Sequence, residues 1–133
     1  MSIERKETID GLAPIVGSAI TTSAVGSRTV FLSGQTGTLP DGTVPGPDLR
    51  SQAEQALRNI LVALAANDAT IDDVAKLTLY VVDWTPEKLG PLFEALVAVF
   101  GDALPVTATT LIGVATLFEP QFVIEIDVTA VVD

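Results

Sequence analysis

Apolar residues recur along this chain with two different periods, and the switch between them marks its elements. Residues 18–25 are rich in Thr, Ile and Val, and residues 29–33 read Thr-Val-Phe-Leu-Ser, so both segments predict strands. Gly26-Ser27 between them predicts a hairpin turn. From residue 49 to about 66 the period changes: Ala53, Ala56, Leu57, Ile60, Leu61 and Leu64 repeat at spacings of three and four, one buried helical face. Asp48 stands where a cap is needed, and Asn67-Asp68 ends the run. Residues 74–83 predict the next strand, and the nearly unbroken apolar segment 77–82 suits a central position in a sheet. Thr85-Pro86-Glu87 opens a second helix with Thr as cap and Pro in the first turn. That helix carries Leu89, Leu92, Phe93, Leu96, Val97 and Phe100 on one side, and Gly101 stops it. Two strands, 106–117 and 122–132, close the chain through Glu119-Pro120.

The predicted order is β-β-α-β-α-β-β, an α+β fold in which two helices cover one face of a mixed sheet. The stretch 34–47 holds four glycines and three prolines (Gly34, Gly37, Pro40, Gly42, Pro45, Gly46, Pro47). It is too short to act as a linker between domains, so residues 1–133 form one domain with a surface loop. The last two strands are apolar or hydroxylated on both sides, and a partner subunit is the expected cover for the second sheet face.

Composition narrows the chemistry. Among 133 residues there is no Cys and no His, which excludes thiolate nucleophiles, Cys-based zinc sites, His-containing triads and His general bases. Acid–base work falls to carboxylates, Lys, Tyr80, hydroxyls, backbone or water. Acidic residues outnumber basic ones 17 to 7, and a net charge of −10 argues against a nucleic-acid surface. No run resembles a signal peptide or a membrane helix, so a soluble cytoplasmic protein without membrane contact is expected.

In Val123-Ile124-Glu125-Ile126-Asp127-Val128, alternation puts Glu125 and Asp127 on one face and the aliphatic residues on the other. Glu125 can hold a water or shuttle a proton; alternatively, both acids edge a solvated sheet face. Ser33-Gly34-Gln35 reads as a strand end that offers a hydroxyl and backbone N–H groups to a ligand, or as a plain turn. Thr107, Thr109 and Thr110 form a hydroxyl cluster in a strand, where Thr is also a common structural residue. Phe31 and Trp84 can wall a cleft, and Trp84 can equally cap the core. Among the cations, Arg28, Arg50, Arg58, Lys76 and Lys88 lie beside no evident partner.

Taken together, these segments resemble the RidA/YjgF family. The resemblance rests on Val30-Phe31-Leu32-Ser33-Gly34-Gln35 before the Gly/Pro loop and on Gln52-Ala53-Glu54-Gln55-Ala56-Leu57-Arg58-Asn59-Ile60 after it. Asp72 to Asp83, Phe100-Gly101-Asp102, Ile112-Gly113-Val114-Ala115 and Val123 to Ile126 complete the series, in order over nearly the whole chain. The resemblance implies a chorismate-mutase-like subunit in a homotrimer, with small-molecule clefts between subunits. It also implies hydrolysis of reactive enamines and imines, such as 2-aminoacrylate, to keto acids and ammonia without metal or cofactor. In such members an arginine grips the substrate carboxylate, and a last-strand glutamate holds the attacking water. That glutamate maps to Glu125 and the strand-end serine to Ser33; from the residues themselves, Gly34 and Thr109 or Thr110 are the other expected substrate contacts.

The chain departs from this pattern where the anion clamp is expected. Thr109 stands at the arginine position, and no Arg or Lys occurs after Lys88. Gly17-Ser18-Ala19 stands where the family has a pocket tyrosine, and the segment 84–93 is longer than its counterpart and lacks an asparagine. An arginine-lacking branch is therefore expected, with an altered, less acidic substrate in place of 2-aminoacrylate. The alternatives are a trimer that binds a small metabolite without turnover and, least favoured by the charge, an endoribonuclease or translation inhibitor.

Overall fold

In this computed structural model, which describes residues 2–133, six strands and two helices follow one another as β-β-β-α-β-α-β-β. They are β1 (Ser2–Lys6), β2 (Thr21–Val25), β3 (Arg28–Thr36), α1 (Leu49–Ala65), β4 (Val74–Val82), α2 (Leu89–Phe100), β5 (Ala108–Val114) and β6 (Ile124–Val132). Four strands form a mixed sheet in the order β3-β6-β4-β5, with β4 and β5 parallel and the other neighbours antiparallel. The last strand thus lies inside the sheet, clamped between β3 and β4. This explains its clean alternation: Ile124, Ile126, Val128, Ala130 and Val132 are buried under the helices, and Glu125 and Asp127 point away.

The core between sheet and helices is aliphatic. Ile60 and Leu64 of α1 meet Val74 and Val81 of β4 and Ile124, Ile126 and Val128 of β6, all with essentially no exposed surface. Asp48 caps α1 as its side chain accepts from the Ser51 N–H at 2.9 Å. Gly101, at φ +59°, ends α2 in a conformation that L side chains rarely adopt. No helix among the described residues is long and apolar enough to cross a membrane.

Four expectations change. An N-terminal strand, β1, precedes those predicted; with one apolar residue among five it carries no period of its own. It is held by its ladder with β2 and by Arg5, which donates to the Asp72 and Val74 carbonyls at 2.7 and 3.1 Å. Gly26-Ser27 is a crossing between sheets and no hairpin, because β2 pairs with β1 while β3 pairs with β6. The penultimate strand is shorter than residues 106–117, and β2 begins at Thr21. Ahead of β2, Ala19 makes an isolated parallel bridge to Ala108 that ties the small ribbon to the edge of the main sheet. Thr85 makes no side-chain cap; Pro86–Lys88 form a short 3-10 turn before α2 begins.

Candidate functional site

One face of the four-stranded sheet lies under the helices and the other is open. Along β6 the open face shows Glu125, Asp127 and Thr129. Along β4 it shows Lys76, Thr78 and Tyr80, because Leu77, Leu79 and Val81 between them are buried. Register pairs place Tyr80 opposite Glu125, Thr78 opposite Asp127 and Lys76 opposite Thr129. From β5, Thr110 and Ile112 stand beside Thr78 and Tyr80. This face carries exposed apolar surface as well, with Phe31 at 77% and Ile112 at 41% accessible.

Ser33 and Gly34 lie within β3, which runs on to Thr36. The ladder with β6 shifts register between Leu32 and Gln35, so the two residues form a bulge. Such a bulge frees backbone groups from pairing and re-aims the strand. Here it brings Gly34 against the Glu125 side chain: a Cβ on Gly34 would lie 2.5 Å from the Glu125 Cδ and 2.7 Å from its Cγ. The missing side chain at Gly34 is the space in which the carboxylate sits. Glu125 is half-buried, and its carboxylate makes no hydrogen bond or ion pair to any described residue. An acceptor set against the Gly34 backbone without a protein partner can orient a water or a ligand N–H.

The other sequence candidates are distributed around this centre. Thr110 shares the open face, where its Oγ1 accepts from the Lys76 ammonium at 2.7 Å. Thr109 falls on the alternate side with Leu111, and its hydroxyl donates to the Thr107 carbonyl at 3.0 Å. Trp84 packs against the core and over Gly113, on the helix side of the sheet. Phe31 lies on the open face, across the ladder from Thr129. Among the described residues no group of three or more His, Cys, Asp or Glu is placed to hold a metal ion.

Three polar residues whose role was not evident in the sequence brace this region: Gln52 and Asn59 hold the end of β3 and its loop, and Thr107 holds the start of β5. Gln52 is fully buried in α1; its Nε2 donates to the Gly46 and Gln121 carbonyls at 2.8 and 2.9 Å, and its Oε1 accepts from the Val123 N–H at 3.0 Å. Asn59 donates to the Thr36 and Thr38 carbonyls at 3.0 and 2.8 Å. The buried Thr107 hydroxyl bonds the Val74 carbonyl at 3.0 Å and the Thr22 hydroxyl at 3.1 Å, anchoring the start of β5. The signal for Gln52 was its place on the apolar side of α1, one turn before Ala56, facing a loop rich in unpaired carbonyls.

Comparison with known proteins places this geometry in context. The family model described as Endoribonuclease L-PSP matches residues 17–132. A crystal structure of YyfB from Yersinia pestis, described as a protein of unknown function of the conserved Rid family, is similar at a TM-score of 0.87. It is 31% identical, over 99% of this chain and 100% of that one. RidA from the Antarctic bacterium Psychrobacter is similar at a TM-score of 0.69, with 27% identity over 97% of this chain and 100% of that one. Protein HMF1 of Saccharomyces cerevisiae is 28% identical over 71 residues, a match that spans 53% of this chain and 55% of that relative's length.

Proposed function

The chain belongs to the Endoribonuclease L-PSP family, the YjgF/RidA proteins, and from that premise we propose that it hydrolyses an imine, enamine or related C–N bond with a water held by Glu125. The observation that carries the proposal is the half-buried Glu125 carboxylate, seated against Gly34 with no protein partner. An iminium carbon is already electrophilic, so its hydrolysis needs only a placed water and somewhere for a proton to go. Water adds to the carbon while Glu125 accepts a proton from it. Glu125 returns that proton to the nitrogen of the tetrahedral carbinolamine and takes up the hydroxyl proton as the C–N bond breaks, so the carbonyl forms, and the departing ammonia carries that proton away as ammonium. Ser33, exposed in the bulge, supplies a hydroxyl for the substrate, and the Gly34 backbone lines the same edge.

The open face also supports assembly. Phe31, Ile112 and, from the loop after β5, Phe118 at 90% exposure leave large apolar groups in water. Neighbouring copies in a homotrimer would cover this surface and close the cleft over Glu125. RNA is a poor fit, because the site face presents Glu125 and Asp127 in a chain of net charge −10 that contains no His.

The test is Glu125→Gln, which keeps shape and removes the base. With a panel of imines and enamines and ammonia release as readout, the wild type turns over at least one member, and the variant loses about 10²–10⁴-fold, the worth of a positioned acid or base. Unchanged turnover in Glu125→Gln refutes the mechanism. Ligand binding without ammonia release would make the protein a non-catalytic binding trimer.

A further inference from the structure

The ligand's charge can be read from what surrounds Glu125, and this step rests on Glu125 as the centre of the site. All seven cationic side chains of the chain are engaged elsewhere. Arg5 donates to the Asp72 and Val74 carbonyls, Arg28 to the Asn67 carbonyl, and Lys88 to the Val82 and Asp83 carbonyls at 3.0 and 2.6 Å. Lys6, Arg50 and Arg58 pair with Glu4, Glu94 and Glu54. Lys76 alone belongs to the open sheet face, and it bonds Thr110, four residues along β4 from the Tyr80 position that faces Glu125. At about 3.3 Å per residue this separates the two positions by about 13 Å, beyond the reach of a lysine side chain.

Across the two ladders of β6, Glu125 stands opposite Thr36 of β3 on one side and an aromatic ring of β4 on the other. Tyr80, the chain's one tyrosine, is its direct partner in the antiparallel ladder. Side chains so paired start about 4.5–5.5 Å apart at Cβ and lie on one face. Tyr80 is half-buried, and its hydroxyl bonds no described residue. A carboxylate with an aromatic residue as its cross-strand neighbour and no cation of its own chain nearby is suited to a positively charged nitrogen: the acid supplies the countercharge and a ring face turned to the ligand its quadrupole. A ligand carboxylate would meet Glu125 as a like charge, in the field of a protein already at −10.

We propose that the Glu125 site selects cationic nitrogen ligands that carry no carboxylate, namely protonated imines and the amines related to them, and that Tyr80 is the specificity-determining residue beside the acid. Charge selection in this sense is separate from whether the bound imine is hydrolysed.

Titration calorimetry with a matched pair of probes tests it. Pyrrolidine is a ring amine protonated at neutral pH, and proline is the same ring with a carboxylate. The wild type binds pyrrolidinium at least tenfold more tightly than proline. Glu125→Gln weakens pyrrolidinium at least tenfold, and Tyr80→Leu weakens it by about three- to tenfold, the range of a cation–π contact. Tyr80→Phe, which restores the ring, recovers most of what Tyr80→Leu loses. A side chain that only stabilises the fold would not discriminate between the probes, so the pyrrolidinium-to-proline ratio in folded variants is the deciding readout. Proline binding as tightly as pyrrolidinium, absence of pyrrolidinium binding, or an affinity unchanged in Glu125→Gln overturns the inference. Ammonia release run in parallel separates it from the hydrolysis reading. Preferred hydrolysis of carboxylate-bearing imines overturns charge selection and leaves hydrolysis standing. Glu125-dependent pyrrolidinium binding with no imine turned over does the reverse.

Discussion

Gly34→Ala separates the role of Glu125 in function from any role in stability, because the structure shows what the new methyl would strike. Its Cβ would lie 2.5 Å from Glu125 Cδ and 2.7 Å from Cγ, whereas ordinary contact begins at 3.4 Å. The carboxylate must therefore move by about 1 Å. It is the end of a flexible side chain without hydrogen-bond partners, so it can swing away at the cost of an off-rotamer torsion, about 0.5–1.5 kcal/mol. Loss of glycine's freedom in the unfolded chain offsets about 0.4–1 kcal/mol of that, leaving stability within about 1 kcal/mol of wild type. A 1 Å displacement of a positioned catalytic group, in contrast, costs about 10²-fold in rate. Gly37→Ala supplies the contrast. Its Cβ would meet the Gln52 carbonyl oxygen at 2.5 Å and the Gln52 Cα at 2.7 Å, in the backbone of α1, which cannot swing aside. That substitution costs about 1–3 kcal/mol as the loop and helix are pushed apart. Urea midpoints measured for both variants, with ammonia release from a substrate of the wild type, decide the matter. A Gly34→Ala protein that unfolds as readily as Gly37→Ala, or that hydrolyses at the wild-type rate, refutes the placement of Glu125 argued here.

Other perturbations reach different links in the chain of causes. Gln52→Leu removes the partners of the partly buried Gly46 and Val123 backbone groups and of the Gln121 carbonyl and lowers stability by about 1–3 kcal/mol in urea unfolding; a loss below about 0.5 kcal/mol would show that water replaces all three bonds. Asp48→Ala removes the α1 cap and lowers stability by about 1 kcal/mol at neutral pH. The Ser51 hydroxyl and backbone N–H hold the Asp48 carboxyl below its ordinary value in the folded state. Its contribution is therefore complete above the usual carboxylate range and fades as the pH falls through the lower folded value, so wild type and variant converge in acid; a gap that widens on acidification contradicts this sign. In the proposed homotrimer Phe31→Glu would set a charge in the covered face; light scattering is then expected to report dissociation with the circular dichroism of the fold retained, each Phe buried there contributing about 1.5–3 kcal/mol, and an unchanged particle mass refutes assembly through this face.

What the sequence disclosed and what it withheld divide by the range of the interaction responsible. The helix α1 was legible because its signals are local, a cap at Asp48 and an apolar period from Ala53 to Leu64. The alternation in β6 likewise placed Glu125 on the face away from Ile124 and Ile126 before any partner strand was known. The pairing of β3 was not legible. Gly26-Ser27 signals a turn, but nothing local distinguishes a hairpin from a crossing when the true partner, β6, lies about a hundred residues on. The same limit hid β1, whose ladder and Arg5 bonds both reach distant segments. It also hid the separation of Thr109 from Thr110, adjacent hydroxyls that alternation sends to opposite sides of β5.

The residues that made the chain recognisable do a different job from those that choose its ligand. Gln52 and Asn59, from the stretch after the Gly/Pro loop, direct their hydrogen bonds to the loop and to the carbonyls of Thr36 and Thr38. Gly37 lets the end of β3 approach α1, and the ordered strand holds the Ser33-Gly34 bulge over Glu125. These contacts support the strand bulge beside Glu125 without reaching the open face on which it stands. Ligand charge depends instead on which cations stand near that acid, and here every Lys and Arg is engaged away from it. Similarity over residues 17–132 therefore shows the family and its fold. It does not carry the proposed ligand preference, which rests on the charged side chains of the open face, whereas the polar contacts of α1 that support the fold lie on the other side of the sheet.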